Sequence, residues 1–385
     1  MQTSHKTLNE NKGLYGFLVA VRLLVGILFI FSGLVKLNDP VGLSYKMQEF
    51  FEVWAADGYF VTIVNLLNQY SFWVAIIMIT AEVALGVALL IGWRKNLVLQ
   101  LLFLLILFFT FLTSYVLFSG KIRSCGCFGD CIPLTPIQTF TKDIILLLLS
   151  VFLILKRQYI QPIFKERLPF ALVLISIIGT LFLQNYVIDH LPLVDCLPYK
   201  IGNNILELRK IPADATPDKF SYGFVYQKGA VKQSFTTDNL PDSTWKFVER
   251  KETLLEKGKN NLAKINDFIL SDSTGSDSTE TILNKPAYYL FFVKELGEDT
   301  DKWLSLFTDV AKKAQQQKLI IYVVTSDPKN VNTFFNEFHS FNLPVYTCDA
   351  TAIKTVARAN PTILLMKGPI VQKKYSWADM DALLK

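Results

Sequence analysis

The sequence predicts a bundle of membrane-spanning helices followed by a soluble α/β domain. Five long apolar runs occupy the first half of the chain, whereas the sequence turns polar and mixed from about His190 onward. Of the 385 residues, 51% are hydrophobic and only 19% are charged, and the mean hydropathy is +0.33. This composition is too apolar for an ordinary soluble protein. Apolar strands then alternate with helical patterns over residues 264–385, which is typical of an α/β sandwich.

The five apolar runs are predicted membrane spans because their lengths fall within the roughly 17–25 residues that cross a hydrocarbon core. The first run has no small-residue cleavage site, so we expect an uncleaved first helix rather than a signal peptide. Together the runs define a membrane domain predicted over residues 1–190. The predicted spans are Leu14–Leu37, Ser71–Trp93, Leu97–Phe118, Thr139–Leu155 and Leu168–Ile188.

The distribution of Lys and Arg predicts a cytoplasmic N-terminus, because cytoplasmic loops carry the excess of basic residues. Eight lie on the side of the N-terminus: Lys6, Lys12, Arg94, Lys95, Lys156, Arg157, Lys165 and Arg167. Five lie on the other side: Lys36, Lys46, Lys121, Arg123 and Lys142. With five spans the chain after Ile188 lies opposite the N-terminus. We therefore expect a protein of the bacterial inner membrane whose C-terminal region is periplasmic.

A short loop between the third and fourth spans concentrates the cysteines. The stretch SCGCFGDCIPLTP, residues 124–136, contains three of the five cysteines of the chain. A fourth cysteine follows the fifth span within a few residues, on the same predicted side of the membrane. Disulfides persist outside the cytoplasm, so these thiols are the candidate catalytic residues. They are Cys125, Cys127, Cys131 and Cys196.

Three roles are open for these cysteines. In the first role the cysteines exchange electrons. A disulfide between Cys125 and Cys127 would close a small, strained ring that is easily reduced. Cys131 or Cys196 would then relay the electrons. In the second, two ordinary disulfides staple the outer surface. Zinc is the third option, but the C-x-C spacing and the external location argue against it, so no metal is expected. Four cysteines allow three pairings, and the sequence does not choose among them.

Away from the ends of the predicted spans, two charged residues lie inside them. Counting about 1.5 Å per residue places Arg22 and Glu82 at similar depths, within a helical turn of each other. Charges buried in membranes usually pair, so we expect an ion pair between Arg22 and Glu82. The pair would have a structural role in fixing the register of the helices, or alternatively it would handle protons or a ligand. The second alternative is compatible with a transporter.

The remaining regions suggest less chemistry. Residues 191–263 are predicted to be a small extracytoplasmic linker region with short strands. The formal charge is +6, but no basic cluster interleaved with aromatic residues accompanies it, so we expect membrane lipid and not nucleic acid as a partner. Cys348 ends a predicted strand, and it is either a small buried apolar residue or a reactive partner for the membrane cysteines.

The first half resembles the DoxX-like membrane family in its methylamine-utilisation MauE branch. The resemblance rests on RLLVGILFIFSGLVKLNDP, on AEVALGVALLIGW and above all on CGCFGD, which is followed by TP and TKDIILLLL. It implies a four-helix core to which the fifth span is added, and a role in disulfide formation or maturation of periplasmic partners. By analogy with the quinone-linked bundles of DsbB and vitamin K epoxide reductase, it also implies quinone as the electron carrier.

Residues 264–385 resemble thioredoxin-like domains of the TlpA and peroxiredoxin type. DFILSDSTG stands where those domains have an N-terminal hairpin, and NPTILLMKG stands where they carry a cis proline. The resemblance implies a peptide-binding groove at Asn360 and Pro361. The sequence KELGEDTDKW occupies the place of the family's C-x-x-C motif, so this domain cannot exchange dithiols by itself.

These patterns favour a membrane thiol-disulfide oxidoreductase of the inner membrane. We expect it to pass oxidising equivalents to periplasmic proteins, or to a periplasmic thiol-disulfide partner, which the thioredoxin-like domain selects. The alternative is a non-enzymatic envelope scaffold or assembly factor, in which the disulfides are structural and the thioredoxin-like domain is a docking module.

Overall fold

The computed structural model describes residues 12–122, 124–126, 128–164, 167–229, 231–237, 239–256, 258, 260–297 and 299–385. Within this part of the chain, five helices are long and apolar enough to cross a membrane, which confirms the predicted bundle. Many of their Leu, Ile and Phe side chains are exposed on the outside of the bundle, as lipid contact requires. The five helices are α1 (Lys12–Leu37), α4 (Ser71–Ile91), α5 (Lys95–Ser119), α6 (Pro136–Leu155) and α7 (Leu168–His190).

Helices α1 and α4 are antiparallel and approach closely at glycines. A Cβ atom on Gly86 would lie 2.9 Å from the carbonyl oxygen of Gly26, and one on Gly33 would lie 2.6 Å from Val83 Cγ2. Such contacts leave no room for a side chain, and small residues are what allow membrane helices to pack this tightly. The glycines therefore set the register between the two helices.

This register shows that the predicted ion pair between Arg22 and Glu82 is wrong. Arg22 lies four residues from Gly26, and Glu82 lies four residues from Gly86 in the opposite direction along the bundle. The two offsets add to about eight residues, or roughly 12 Å along the helix axes. Arg22 Nε instead donates to the carbonyl oxygen of Leu89 at 2.8 Å, and its other nitrogens donate to the carbonyl oxygens of Leu90 and Gln161.

Two further helices, α2 (Pro40–Ala56) and α3 (Val61–Gln69), connect α1 to α4. Asp39 begins α2 by accepting a hydrogen bond from the backbone N–H of Gly42 at 2.8 Å, and Pro40 occupies the first helical position. The buried face of α2 carries Met47 and Phe50, which pack in a core cluster with side chains of α4 and α5. Helix α2 therefore covers the end of the bundle that bears the cysteine loop, which we call the cysteine face.

The segment predicted as a linker, residues 191–263, has two parts. Tyr199 and Ile205, the latter on the short helix α8 (Ile205–Leu208), are buried in the core of the C-terminal domain. The second part is a separate antiparallel sheet of three strands in the order β2-β1-β3. Its strands are β1 (Lys219–Lys228), β2 (Val231–Thr236) and β3 (Lys246–Glu256).

The C-terminal domain is built on a five-stranded sheet in the order β6-β5-β4-β7-β8. Strand β4 pairs in parallel with β5 and antiparallel with β7, while β5–β6 is parallel and β7–β8 antiparallel. The strands are β4 (Tyr288–Val293), β5 (Ile320–Thr325), β6 (Val345–Thr347), β7 (Thr362–Lys367) and β8 (Ile370–Ser376). The peptide bond Asn360–Pro361 before β7 is cis. This topology confirms the predicted thioredoxin-like fold.

Helices cover both faces of this sheet. Even-numbered residues of β4 pack with α9 (Thr279–Leu283), α12 (Ala350–Val356) and Tyr199. Odd-numbered residues of β4 pack with α10 (Thr300–Gln316), with α11 (Pro328–Asn332) and the π-helical turn after it, and with the 3₁₀ segment Trp377–Leu383. All six residues of β4 are buried, as expected for the central strand of a sheet covered on both sides.

Candidate functional site

Among the candidate catalytic cysteines that the structure describes, Cys131 and Cys196 are brought together. Cys131 in the loop and Cys196, just beyond α7, form a disulfide with their Cα atoms 5.0 Å apart, although 65 residues separate them in sequence. Asn38 holds the segment of Cys196 beside the loop, because its side-chain amide donates to Val194 O and accepts from Val194 N, both at 2.9 Å. Asn38 Nδ2 also lies 4.0 Å from Cys131 Sγ.

The other half of the loop lies deeper. Cys125 is also disulfide-bonded and is only 5% exposed, among apolar side chains that include Leu37 and Met47. Cys127 lies outside the described residues. Gly126 has a φ of +70° and its Cβ position faces Lys46, so the backbone there adopts a turn that favours glycine. Since the sulfurs of Cys131 and Cys196 are already bonded, the zinc alternative lacks two of its thiolate ligands.

A set of charges lies beneath the cysteine loop, and only Glu82 among them was a candidate from the sequence. Lys36 Nζ is 2.6 Å from Glu82 Oε1, and both side chains are 2% exposed. Lys142 and Asp143 at the start of α6 form a second pair at 2.7 Å. Both pairs line a cavity of about 30 Å³ that Phe128 of the loop also borders. A polar cavity of this size holds about one water molecule.

The thioredoxin-like domain docks on the cysteine face through its own buried cations. Arg358 Nε lies 2.7 Å from Asp39 Oδ2, at the start of α2, and Arg358 also reaches Asp130 at 3.2 Å. Lys374 of β8 lies 2.8 Å from Asp195. Burial lowers the pKa of Lys374, and Asp195 opposes that shift. Ion pairs of this kind fix orientation, since removing one partner leaves a charge buried alone.

Both bonded cysteines therefore follow an aspartate that contacts the docked domain. Asp130 precedes Cys131 and pairs with Arg358, and Asp195 precedes Cys196 and pairs with Lys374. The disulfide thus lies where the loop, the end of α7 and the thioredoxin-like domain meet.

The predicted groove at Asn360 and Pro361 faces the membrane domain. Pro361 is buried, and Asn360 uses its side chain within the domain, accepting from Lys294 N at 2.9 Å and donating to Glu295 O at 2.7 Å. Lys294 stands where related domains carry C-x-x-C, and its Nζ donates to Tyr45 Oη of α2 at 3.2 Å. Burial, reinforced by Arg358, lowers the pKa of Lys294 to about 8. Helix α2 therefore occupies one side of this groove.

Cys348 is a buried apolar residue and not a partner for the membrane cysteines. Its side chain is 4% exposed and lies in the core beneath the sheet. Burial raises the pKa of the Cys348 thiol to about 12, so the thiolate is scarce at neutral pH.

Comparison with known proteins finds two family models and one curated relative that are similar to parts of this chain. Residues 15–156 match the family model described as Methylamine utilisation protein MauE, and residues 220–257 match a domain of unknown function, DUF8463. Protein TlpB of Flavobacterium psychrophilum is 32% identical over 136 residues, which are 34% of this chain and 35% of that protein. The match thus spans about a third of the length of this curated relative.

A solved structure of BsSco, a member of the Sco family of cytochrome c oxidase assembly proteins, aligns with 31% of this chain and 88% of its own. The sequence identity over this alignment is 14% and the TM-score is 0.24.

Proposed function

Because residues 15–156 form a MauE-type membrane domain, we propose that this protein is a membrane thiol-disulfide oxidoreductase that supplies disulfides to partner proteins. The observation that carries the proposal is the pairing of Cys131 with Cys196 at the cysteine face. A third disulfide-bonded cysteine, Cys125, lies buried in the same loop as Cys131. A half-exposed disulfide, with a buried disulfide-bonded cysteine in the same loop, suits a two-step transfer of electrons from a partner towards the bilayer.

The proposed chemistry is two successive thiol-disulfide exchanges. The two thiols of a partner reduce the Cys131–Cys196 disulfide, so the partner gains a disulfide and the protein gains two thiols. Those thiols then reduce the disulfide that contains Cys125, which restores the bond between Cys131 and Cys196. Each exchange proceeds by attack of a thiolate on a sulfur atom, and two electrons move inward at each step.

Quinone is the proposed final acceptor of these two electrons and two protons. The cavity beneath the loop, at about 30 Å³, is too small for a quinone ring, so we assign no residue to its binding. The charged pairs around that cavity are positioned to hold water close to the loop. The proposal therefore leaves the site of quinone reduction at the lipid-facing surface of the bundle.

The distribution of Lys and Arg supports a periplasmic cysteine face in a bacterial inner membrane. On this side of the membrane disulfides are stable, and periplasmic proteins or a periplasmic thiol-disulfide partner would be the clients. The docked thioredoxin-like domain has no C-x-x-C of its own, so its proposed task is to present clients to the Cys131–Cys196 disulfide.

A scaffold with structural disulfides is the second candidate, and the docking geometry favours it. Helix α2 lies against the groove at Asn360. Lys294 stands at the position where related domains would carry a reactive cysteine, and it donates a hydrogen bond to Tyr45 of α2. A domain held this way serves to bind and not to react.

Thiol trapping in cells separates the two candidates. Proteins are alkylated with and without prior reduction, in cells with normal and with depleted quinone. We expect Cys131 and Cys196 to be a disulfide in some of the protein molecules and thiols in the others. The fraction with thiols should rise when quinone is depleted. A Cys125→Ser variant should accumulate Cys131 and Cys196 as thiols, since the second exchange is lost.

Cys348 is the internal control for this measurement, because its buried thiol should be alkylated only after unfolding under every condition. If all bonded cysteines stay fully oxidised whatever the quinone supply, and Cys125→Ser changes nothing, the scaffold is the better description.

A further inference from the structure

A cleft of about 800 Å³ opens between helix α2 and the thioredoxin-like domain, and Cys196 lies on its wall. This volume is within the range of about 300–1000 Å³ that ligand sites occupy. Gly42 and Gln48 of α2 line one side, and Thr351 and Thr355 of α12 line the other. Cys131 is not among the residues that line the cleft, so the cleft gives access to one sulfur of the disulfide.

The walls of the cleft carry an excess of positive charge. Three lysines there, Lys200, Lys264 and Lys354, have no ion-pair partner in the described part of the chain, and one carboxylate, Glu52, is likewise unpaired there. Of the other charged residues, Lys46 pairs with Glu49 and is compensated, whereas Arg358 pairs with both Asp39 and Asp130, which leaves one negative charge there. The unpaired lysines still exceed the negative charges by one. Concave surfaces with one dominant sign of charge concentrate ligands of the opposite sign.

Cys196 lines this cleft and Cys131 does not, so a thiolate that enters the cleft would reach Cys196 first. Cys131 would then be the leaving sulfur. Asn38 Nδ2, at 4.0 Å from Cys131 Sγ, is an N–H donor beside the thiolate that Cys131 would become. A donor at the leaving sulfur lowers its pKa, and a leaving thiol of lower pKa departs faster.

We propose that this cleft is the substrate site, that its substrate is an anionic thiol, a cysteine close to carboxylates, and that the sulfur attacked is that of Cys196. This inference rests on the proposed function and adds the substrate class and the entry point. In the reaction the substrate thiolate forms a bond to Cys196 Sγ, and the bond between Cys196 and Cys131 breaks with its electron pair on Cys131. A second substrate thiolate then displaces Cys196, so the substrate is oxidised to a disulfide and both cysteines are reduced.

The test follows reduction of the Cys131–Cys196 disulfide in the purified full-length protein by three thiols. They are a peptide with one cysteine flanked by Asp and Glu, the same peptide with Asn and Gln, and glutathione. At low ionic strength we expect the acidic peptide to react about tenfold faster than the neutral one, and high salt should remove the difference. Mapping of the quenched mixed disulfide should find the peptide on Cys196.

A matched pair of variants locates the effect. Lys200→Gln/Lys264→Gln should slow the acidic peptide about three- to tenfold and leave the neutral peptide unchanged. The control Lys367→Gln/Lys373→Gln removes the same charge from exposed positions of the same domain outside the cleft, and it should change neither rate. All four side chains are exposed, so neither variant disturbs the core.

The outcomes separate this inference from the proposed function. Equal rates for the acidic and neutral peptides, or a mixed disulfide on Cys131, would overturn the inference while leaving an active disulfide. Failure of every thiol to reduce the Cys131–Cys196 disulfide would overturn both. If glutathione reduces the disulfide as fast as the acidic peptide does, the substrate is a small anionic thiol. If glutathione is much slower than the acidic peptide, the substrate is a polypeptide.

Discussion

Lys36 and Glu82 form an ion pair inside the membrane domain, where each side chain is 2% exposed. Lys36 also donates to Ser32 Oγ at 2.8 Å, and its ammonium lies 4.5 Å from the centre of the Phe109 ring. A charge at this depth is stable only with a partner. The pair is therefore a unit, and removing one member costs more than removing both.

We expect Lys36→Met to destabilise the membrane domain by about 3–5 kcal/mol, since Glu82 would be left unpaired. The double variant Lys36→Met/Glu82→Met should recover most of this loss, because no isolated charge remains. Unfolding in mixed micelles by increasing SDS measures both. As a control, Lys121→Met removes a half-exposed partner of Asp57, and it should leave the stability almost unchanged because water screens that pair. Equal destabilisation by the single and double variants would contradict this account.

At this scale the sequence predicts less of the candidate site than of the fold. It places Cys131 and Cys196 on one side of the membrane, because that follows from counting spans. It does not predict that Lys36 is buried, because a lysine near the end of a span looks like a residue of the adjoining loop. Which charge meets Glu82 depends on the relative height of two helices, and a single sequence does not contain that height.

Helices α1 and α4 show how an element decides such contacts. Their closest approach is at Gly26 and Gly86, where backbone atoms of one helix touch the other. The same register brings Arg22 to the C-terminal end of α4, where its guanidinium donates to the carbonyl oxygens of Leu89 and Leu90 in the last turn. Arg22 is thus a cap of α4, which is a structural role.

We expect Gly86→Ala to separate α1 from α4 and to destabilise the bundle by about 1–3 kcal/mol, since the new methyl group would lie 2.9 Å from Gly26 O. Gly179→Ala in α7 is the matched control, because nothing lies within 4 Å of its Cβ position. That variant should be neutral or slightly stabilising. Thermal unfolding in detergent compares the two, and a Gly86→Ala protein as stable as the control would refute the close contact.

The helix ends illustrate which local signals a sequence carries. Helix α6 was predicted from Thr139 but begins at Pro136, because Thr135 and Gln138 form a reciprocal capping box. The signal T-P-x-Q is present in the sequence, with proline at the first helical position. Apolarity alone located the span but not its polar first turn.

At the scale of the whole molecule, the two domains are joined by ion pairs around the disulfide. Arg358, whose side chain is 7% exposed, joins the thioredoxin-like domain to Asp39 and Asp130. His190 at the end of α7 contacts Asp379 at 2.9 Å, which adds a further point of attachment. The position of the domain thus depends on residues on both sides of the Cys131–Cys196 disulfide.

We expect Arg358→Gln to loosen the domain from the cysteine face at a cost of about 2–5 kcal/mol, because Asp39 would lose its charged partner. Amide hydrogen exchange should then accelerate in the first turns of α2 and around residues 354–360. The control Arg250→Gln breaks an exposed pair with Glu252 in the three-stranded sheet and should leave that exchange unchanged. Unaltered protection of α2 in Arg358→Gln would show that the docking does not depend on this arginine.

By itself the sequence determined the five spans and the thioredoxin-like order of strands and helices, and it predicts that Cys131 and Cys196 lie on one side of the membrane. These features follow from the lengths of apolar runs and from local periodicity, which each segment carries alone. Only the tertiary structure decided that Glu82 pairs with Lys36, that Cys131 pairs with Cys196 and that the groove at Asn360 faces α2. Those contacts join residues far apart in the chain, and they depend on helix register and domain docking that are set by packing of the whole molecule.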